Sequence, residues 1–208
     1  MKRRDFIKKA GQVGGGLILS TTLGCRDIND FYTPLPGDIY AATTGGLSIS
    51  TDGGNSFVNR TNLNSGLGAD FVFGVFVSDS TIYAATNGGL SISTDGGNSF
   101  VNRVIADGLG AINVRGVFVF GSTIYAATGT ATGGLSISTD GGNSVVNRTN
   151  LNSGVGAGFG FGWFVFGSTI YAATNGGLSI STDGGNSFVN RVIADGLGNN
   201  NVQGVFVY

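Results

Sequence analysis

The sequence predicts an all-β fold made of four tandem copies of one four-stranded unit, and three observations carry that prediction. The pentapeptide Ile-Tyr-Ala-Ala-Thr begins at Ile39, Ile82, Ile124 and Ile170, at spacings of 43, 42 and 46 residues. Apolar and polar residues alternate inside each unit, as in Leu90-Ser91-Ile92-Ser93, which is the period of a strand with one buried face. Glycine is abundant (39 residues) and proline scarce (2), while Leu, Ile, Val and Phe stay plentiful. Disordered glycine-rich chain lacks those apolar residues, so the glycines read as tight turns between short strands.

In chain order, residues 1 to 25 read first as an address. Lys2, Arg3, Arg4, Lys8 and Lys9 precede an apolar stretch, Val13 to Leu23, that is diluted by Gly14, Gly15 and Gly16. That stretch is shorter than the roughly 20 residues a membrane-spanning helix needs. Arg3-Arg4-Asp5-Phe6-Ile7-Lys8 resembles the twin-arginine export motif, which implies a receptor-read signal for an already folded protein. Thr22-Leu23-Gly24-Cys25 resembles a lipoprotein cleavage box, with Cys25 as the lipidated residue, although its leucine stands two places before the cysteine and not three. Cys25 is the only cysteine, so an intramolecular disulfide is excluded. Residues 26 to 38, with Pro34, Pro36 and Gly37, read as a tether. The expected location is the periplasmic or cell-surface side of a bacterial membrane, reached through the lipid.

Residues 39 to 208 hold the repeats. Gly116 to Phe120, Thr123 to Ala127, Gly134 to Ser138 and Asn143 to Asn147 make four short β segments in one unit, and no part of this region has a clear helical period. A four-stranded unit of this length matches one β-propeller blade. The connectors alternate: Thr61 to Gly66 and Thr149 to Gly154 share one sequence, Val104 to Gly110 and Val192 to Gly198 another, so the unit of duplication is a pair of blades. The first unit lacks a preceding Val-Phe-Val strand, while Val202-Gln203-Gly204-Val205-Phe206-Val207 is left over at the end. This spare strand is expected to complete the first blade, closing a four-bladed propeller and removing its exposed edges. A two-fold dimer sharing eight blades is the alternative to a closed monomer.

Each unit carries Ser-Thr-Asp-Gly-Gly-Asn-Ser followed by Phe, with Asp52, Asp95, Asp140 and Asp183 at its centre; the third copy has Val145 in the aromatic place. The spacing fits a hairpin turn between outer strands. The aspartate accepts turn N–H groups, the glycines take positive φ, and the aromatic is expected to pack back on the hairpin. The motif resembles the Asp-box (BNR) repeat of sialidases, other glycoside hydrolases, sortilin-type receptors and photosystem II assembly factors. In those families the box is a turn staple away from the active centre, which implies a structural role for all four aspartates.

The chemistry of the chain argues against several functions. From Cys25 onward six arginines face eleven aspartates, a poor footprint for nucleic acid. A sialidase-like mechanism uses an arginine cluster and a tyrosine assisted by glutamate, and the chain has no glutamate. With no histidine and one cysteine a zinc site is disfavoured, and the Asp-Gly-Gly-Asn-Ser turns lack the ligand density of an EF-hand; no cofactor is expected. Arg60, Arg103, Arg148 and Arg191 recur once per unit and are candidates for a rim that grips an anionic ligand. Trp163, with Phe159, Phe161 and Phe164, and separately Arg115 and Asp70, break the repeat symmetry. A noncatalytic scaffold for a protein or glycan partner is the leading expectation. An unusual or degenerate glycoside hydrolase and a piece of a longer repeat array are the alternatives.

Overall fold

The computed structural model describes residues 37–129, 133–156 and 160–208. The export signal, Cys25 and most of the tether, together with Phe159 and residues 130–132, lie outside the described residues. The chain divides into residues 1–35 and a unit of residues 36–208, which holds all the described structure.

That unit is all-β and propeller-like, with four antiparallel sheets in sequence order. Blade 1 contains β1 (Ile39–Thr43), β2 (Gly46–Ser50) and β3 (Val58–Arg60). Blade 2 contains β4 (Val72–Ser78), β5 (Thr81–Thr86), β6 (Gly89–Ser93) and β7 (Val101–Arg103). Blade 3 contains β8 (Val114–Phe120), β9 (Thr123–Thr128), β10 (Leu135–Ser138) and β11 (Val146–Arg148). Blade 4 contains β12 (Gly160–Phe166), β13 (Thr169–Thr174), β14 (Gly177–Ser181) and β15 (Val189–Arg191). Each sheet is a meander, so sequence neighbours pair, as in Phe118 opposite Tyr125 and Ile137 opposite Tyr125 on its other side.

The first strands of blades 2, 3 and 4 are the inner ones, β4 beside β8 and β8 beside β12, and β1 packs against β4 as β5 does against β8. Phe76, Phe118 and Phe164 form an aromatic ladder across them, with ring centroids 5.1 and 6.1 Å apart. The cores lie between blades. Leu47 and Ile49 of blade 1 join Ile82, Ala84 and Phe100 of blade 2. Leu90 and Ile92 join Ile124 and Ala126, and Leu135 and Ile137 join Ile170, Ala172 and Phe188. A blade therefore buries its apolar face only against a neighbour, which is the physical basis of repeat architecture.

Two details differ from the sequence reading. The connectors contain single helical turns, Asn62–Ser65 and Asn150–Ser153, and 3₁₀ turns at Ile105–Asp107 and Ile193–Asp195, all too short to show a 3.6-residue period. The closing strand is also placed differently. Blade 1 has three strands, and residues 201–208 enter no strand. Instead Val202 N–H donates to Thr174 O at 2.9 Å, and Phe206 extends the aromatic ladder 5.1 Å from Phe164. Those two contacts hold the segment beside blade 4, in the place of a next inner strand.

Candidate functional site

The four boxes are built alike, and Asp52 shows the plan. Its Oδ1 accepts the Ser56 N–H at 2.9 Å and the Ser50 hydroxyl at 2.8 Å, and its Oδ2 accepts the Ser56 hydroxyl at 2.6 Å. Ser50 Oγ in turn accepts the Gly54 N–H at 2.8 Å, and the Asn55 amide donates to Asp52 O at 2.6 Å. The same pattern surrounds Asp95, Asp140 and Asp183. The donors hold each carboxyl at about 2, below the ordinary 3.8, with the hydroxyl bond from Ser56, Ser99, Ser144 or Ser187 as the largest cause. Such a carboxylate is an acceptor committed to its own turn and a weak base.

The box aromatic packs over its own turn, where a Cβ on Gly97 or Gly185 would lie 3.8 or 3.7 Å from the ring tip of Phe100 or Phe188, and it also reaches the neighbouring blade. Phe100 and Phe188 insert into the core shared with the preceding blade, where they are 7% and 8% exposed, and their N–H groups donate to Ser65 O and Ser153 O, each at 2.8 Å. Phe57 has no preceding blade and is 48% exposed. The box is thus a joint between blades as well as a turn.

The repeated arginines complete that joint. The terminal Nη2 of Arg60 donates to Asn98 Oδ1 of the next box at 3.0 Å, Arg103 to Asn143 at 3.4 Å and Arg148 to Asn186 at 2.8 Å, while the Nε atoms of all three are buried. Arg191 has no following box and reaches Asp195 at 3.9 Å. Equivalent places in successive blades set the four guanidinium groups one per blade, three of them at seams and Arg191 on the free face of blade 4. Trp163 is 8% exposed and lies in the core between blades 3 and 4 with Tyr125, Leu135 and Ile170. Asp70 Oδ1 accepts the Asn62 N–H at 2.7 Å and so caps a helical turn.

A different cluster stands where the inner strands begin. Phe71 and Phe73 are 4.6 Å apart between ring centroids, and the Arg115 guanidinium lies 5.4 Å from the centre of the Phe73 ring. The Asn113 amide donates to Asn87 Oδ1 at 3.0 Å, and Asn87 N–H to Phe71 O at 3.0 Å, tying blades 2 and 3 together beside it. Phe71 and Ile112 are 41% and 47% exposed. The sequence reading had singled out Arg115 but missed its aromatic partners. The signal was present: aligned on the repeat, Phe73, Arg115, Phe161 and Gln203 share one position, and few other positions vary as much in chemistry. Among the described residues no three His, Cys, Asp or Glu side chains gather as a metal-binding group.

No family model matches the chain, and no curated protein matches it in sequence. Solved structures do resemble it. The extracellular domain of BT4673 from B. thetaiotaomicron superposes with a TM-score of 0.67 at 12% identity, over 83% of this chain and 24% of that one. An ancestral GH74 enzyme gives 0.57 at 25% identity, over 74% and 22%. YCF48 bound to D1 peptide gives 0.53 at 16% identity, over 74% and 51%. The chain thus spans about a quarter of the first two and half of the third. These similarities show the propeller fold.

Proposed function

We propose that the chain is an exported, lipid-anchored propeller scaffold without catalytic activity, holding a protein or glycan partner in the bacterial cell envelope. One observation carries the reading. Nearly identical blades diverge in chemistry at the start of the inner strands, and there an exposed Phe71 packs on a half-buried Phe73 whose ring carries the guanidinium of Arg115, with Ile112 also exposed at the start of blade 3. An aromatic pair with an arginine over one face is the composition of a contact hot spot. The repeated polar groups are committed elsewhere, the aspartates to their turns and three of the arginines to seams.

The similar folds support this reading without deciding the partner. BT4673 is represented by an extracellular domain, and YCF48 carries a peptide. Export and the anchor rest on Arg3-Arg4 and Cys25. The test is capture from envelope extract with wild-type protein and with Phe71→Ala/Arg115→Ala in parallel. The reading expects a protein or glycan retained by the wild type and lost with the double variant. Equal capture by both would move the contact elsewhere. The likeness to a GH74 enzyme motivates a second arm, a panel of fluorogenic glycosides including a sialoside. Turnover abolished by Asp70→Asn or Arg115→Ala would replace the scaffold with a glycosidase.

A further inference from the structure

The three seams between blades are built from one set of contacts, and the two end faces of the array carry its two unmatched halves. At each seam the earlier blade supplies an arginine to the next box, an isoleucine against a box glycine, and a connector N–H to a strand serine. Ile49, Ile92 and Ile137 lie so close to Gly97, Gly142 and Gly185 that a Cβ there would come within 2.6, 2.5 and 2.5 Å of the isoleucine Cδ1. Gly68, Gly110 and Gly156 N–H donate to Ser91, Ser136 and Ser179 Oγ at 2.9, 3.1 and 2.7 Å.

Blade 4 offers the same supplying face, and none of the described residues receives it. Arg191 turns to Asp195, Ile180 is only half-buried where its three equivalents are buried, and residues 202–207 repeat the inner-strand sequence with Phe206 75% exposed. Blade 1 offers the receiving face, and none of the described residues supplies it. Phe57 is 48% exposed, and Ile39 is 41% exposed where Ile82, Ile124 and Ile170 are at most 1%. β1 has no strand on its inner side among the described residues. Its sequence, Ile-Tyr-Ala-Ala-Thr, is identical to that of β9, and β9 pairs with Val114–Phe120, the equivalent of residues 202–208.

We infer that the blade 4 face of one copy docks on the blade 1 face of a second copy, with residues 202–207 entering that copy's first blade as its missing strand. The register follows from β8 and β9, where Val117, Phe118 and Val119 face Ala126, Tyr125 and Ile124. Val205 then faces Ala41, Phe206 faces Tyr40 and Val207 faces Ile39 of the second copy, and Arg191 meets Asn55. A second copy is the occupant because the two faces do not meet among the described residues: Arg191 lacks the box asparagine and Phe57 the earlier blade that their equivalents have, and Phe206 packs on Phe164 with no ring beyond it. Reciprocal exchange closes two copies into eight blades and leaves no open sheet edge.

The test uses the full chain with Cys25→Ser, which removes the only native thiol. Chains bearing Ala41→Cys are mixed with chains bearing Val205→Cys and oxidised gently. The expected result is a disulfide-linked pair from the mixture and from neither chain alone, with light scattering giving twice the chain mass for the unsubstituted protein. Arg191→Asp, on an exposed end face, should weaken pairing by roughly tenfold or more, the worth of one charge-assisted hydrogen bond. The thermal transition of the separated chain should stay in place. A chain carrying both cysteines that forms only an internal disulfide at single-chain mass would overturn the inference. So would an uncross-linked mixture of monomers, or open polymers in place of a closed pair.

Discussion

Asp52, Asp95, Asp140 and Asp183 sit at the surface, yet each carboxylate receives three hydrogen bonds from its own turn. Their folded-state pKa of about 2 lies below the ordinary 3.8. As pH falls the unfolded chain therefore takes up protons first. The stability these groups give is fully present above about pH 4 and drains away as pH approaches about 2. Thermal unfolding followed from about pH 6 down to about pH 2 should show a midpoint that drops mainly in the lower half of that range. Asp95→Asn should lower the midpoint at neutral pH and flatten the acid decline, because its amide has lost one acceptor and no longer titrates. A wild-type midpoint that stays level down to pH 2 would show that the turns do not depend on ionised aspartate.

At the scale of the blade, the box phenylalanines separate a joint from a turn ornament. Phe100 is 7% exposed in the core that blades 1 and 2 share, and Phe57 is 48% exposed at the free face. Phe100→Ala should cost about 3–5 kcal/mol, the usual loss for an emptied aromatic site. Phe57→Ala should cost less than about 1 kcal/mol in the separated chain, as surface changes do. Denaturant unfolding of the two variants at low protein concentration checks the contrast, and equal losses would place Phe57 in a core of its own. The repeat period made the strands, their order and the position of each box legible in the sequence. It could not show which blade receives Phe100 or Arg60, because every unit offers the same candidate partners and nothing in the repeat distinguishes the copy in a residue's own unit from the copy in the next. The helical turns escaped for a simpler reason: four residues, such as Asn62–Ser65, are about one turn and show no period. The Phe73–Arg115 contact escaped because its partners are 42 positions apart and differ in kind, so only the packing of β4 against β8 in the neighbouring blade brings them together.

For the array as a whole, stability is a sum of blade terms and seam terms between neighbours. Blades 2 and 3 have a seam on both sides, while blades 1 and 4 have one each, so opening should begin at the ends. Hydrogen exchange on the separated chain should find β5, β6, β9 and β10 slowest and β1 and residues 202–207 fastest. Pairing of two copies adds a seam only at those two ends. Protection of β1 amides should then rise with protein concentration, by mass action, while β9, identical in sequence over Ile-Tyr-Ala-Ala-Thr, should stay unchanged. That comparison holds sequence constant and varies only the neighbour. If β1 exchanges at one rate across the concentration series, its inner side is not covered by another copy. If β1 is as slow as β9 even at high dilution, the edge is already filled within the chain.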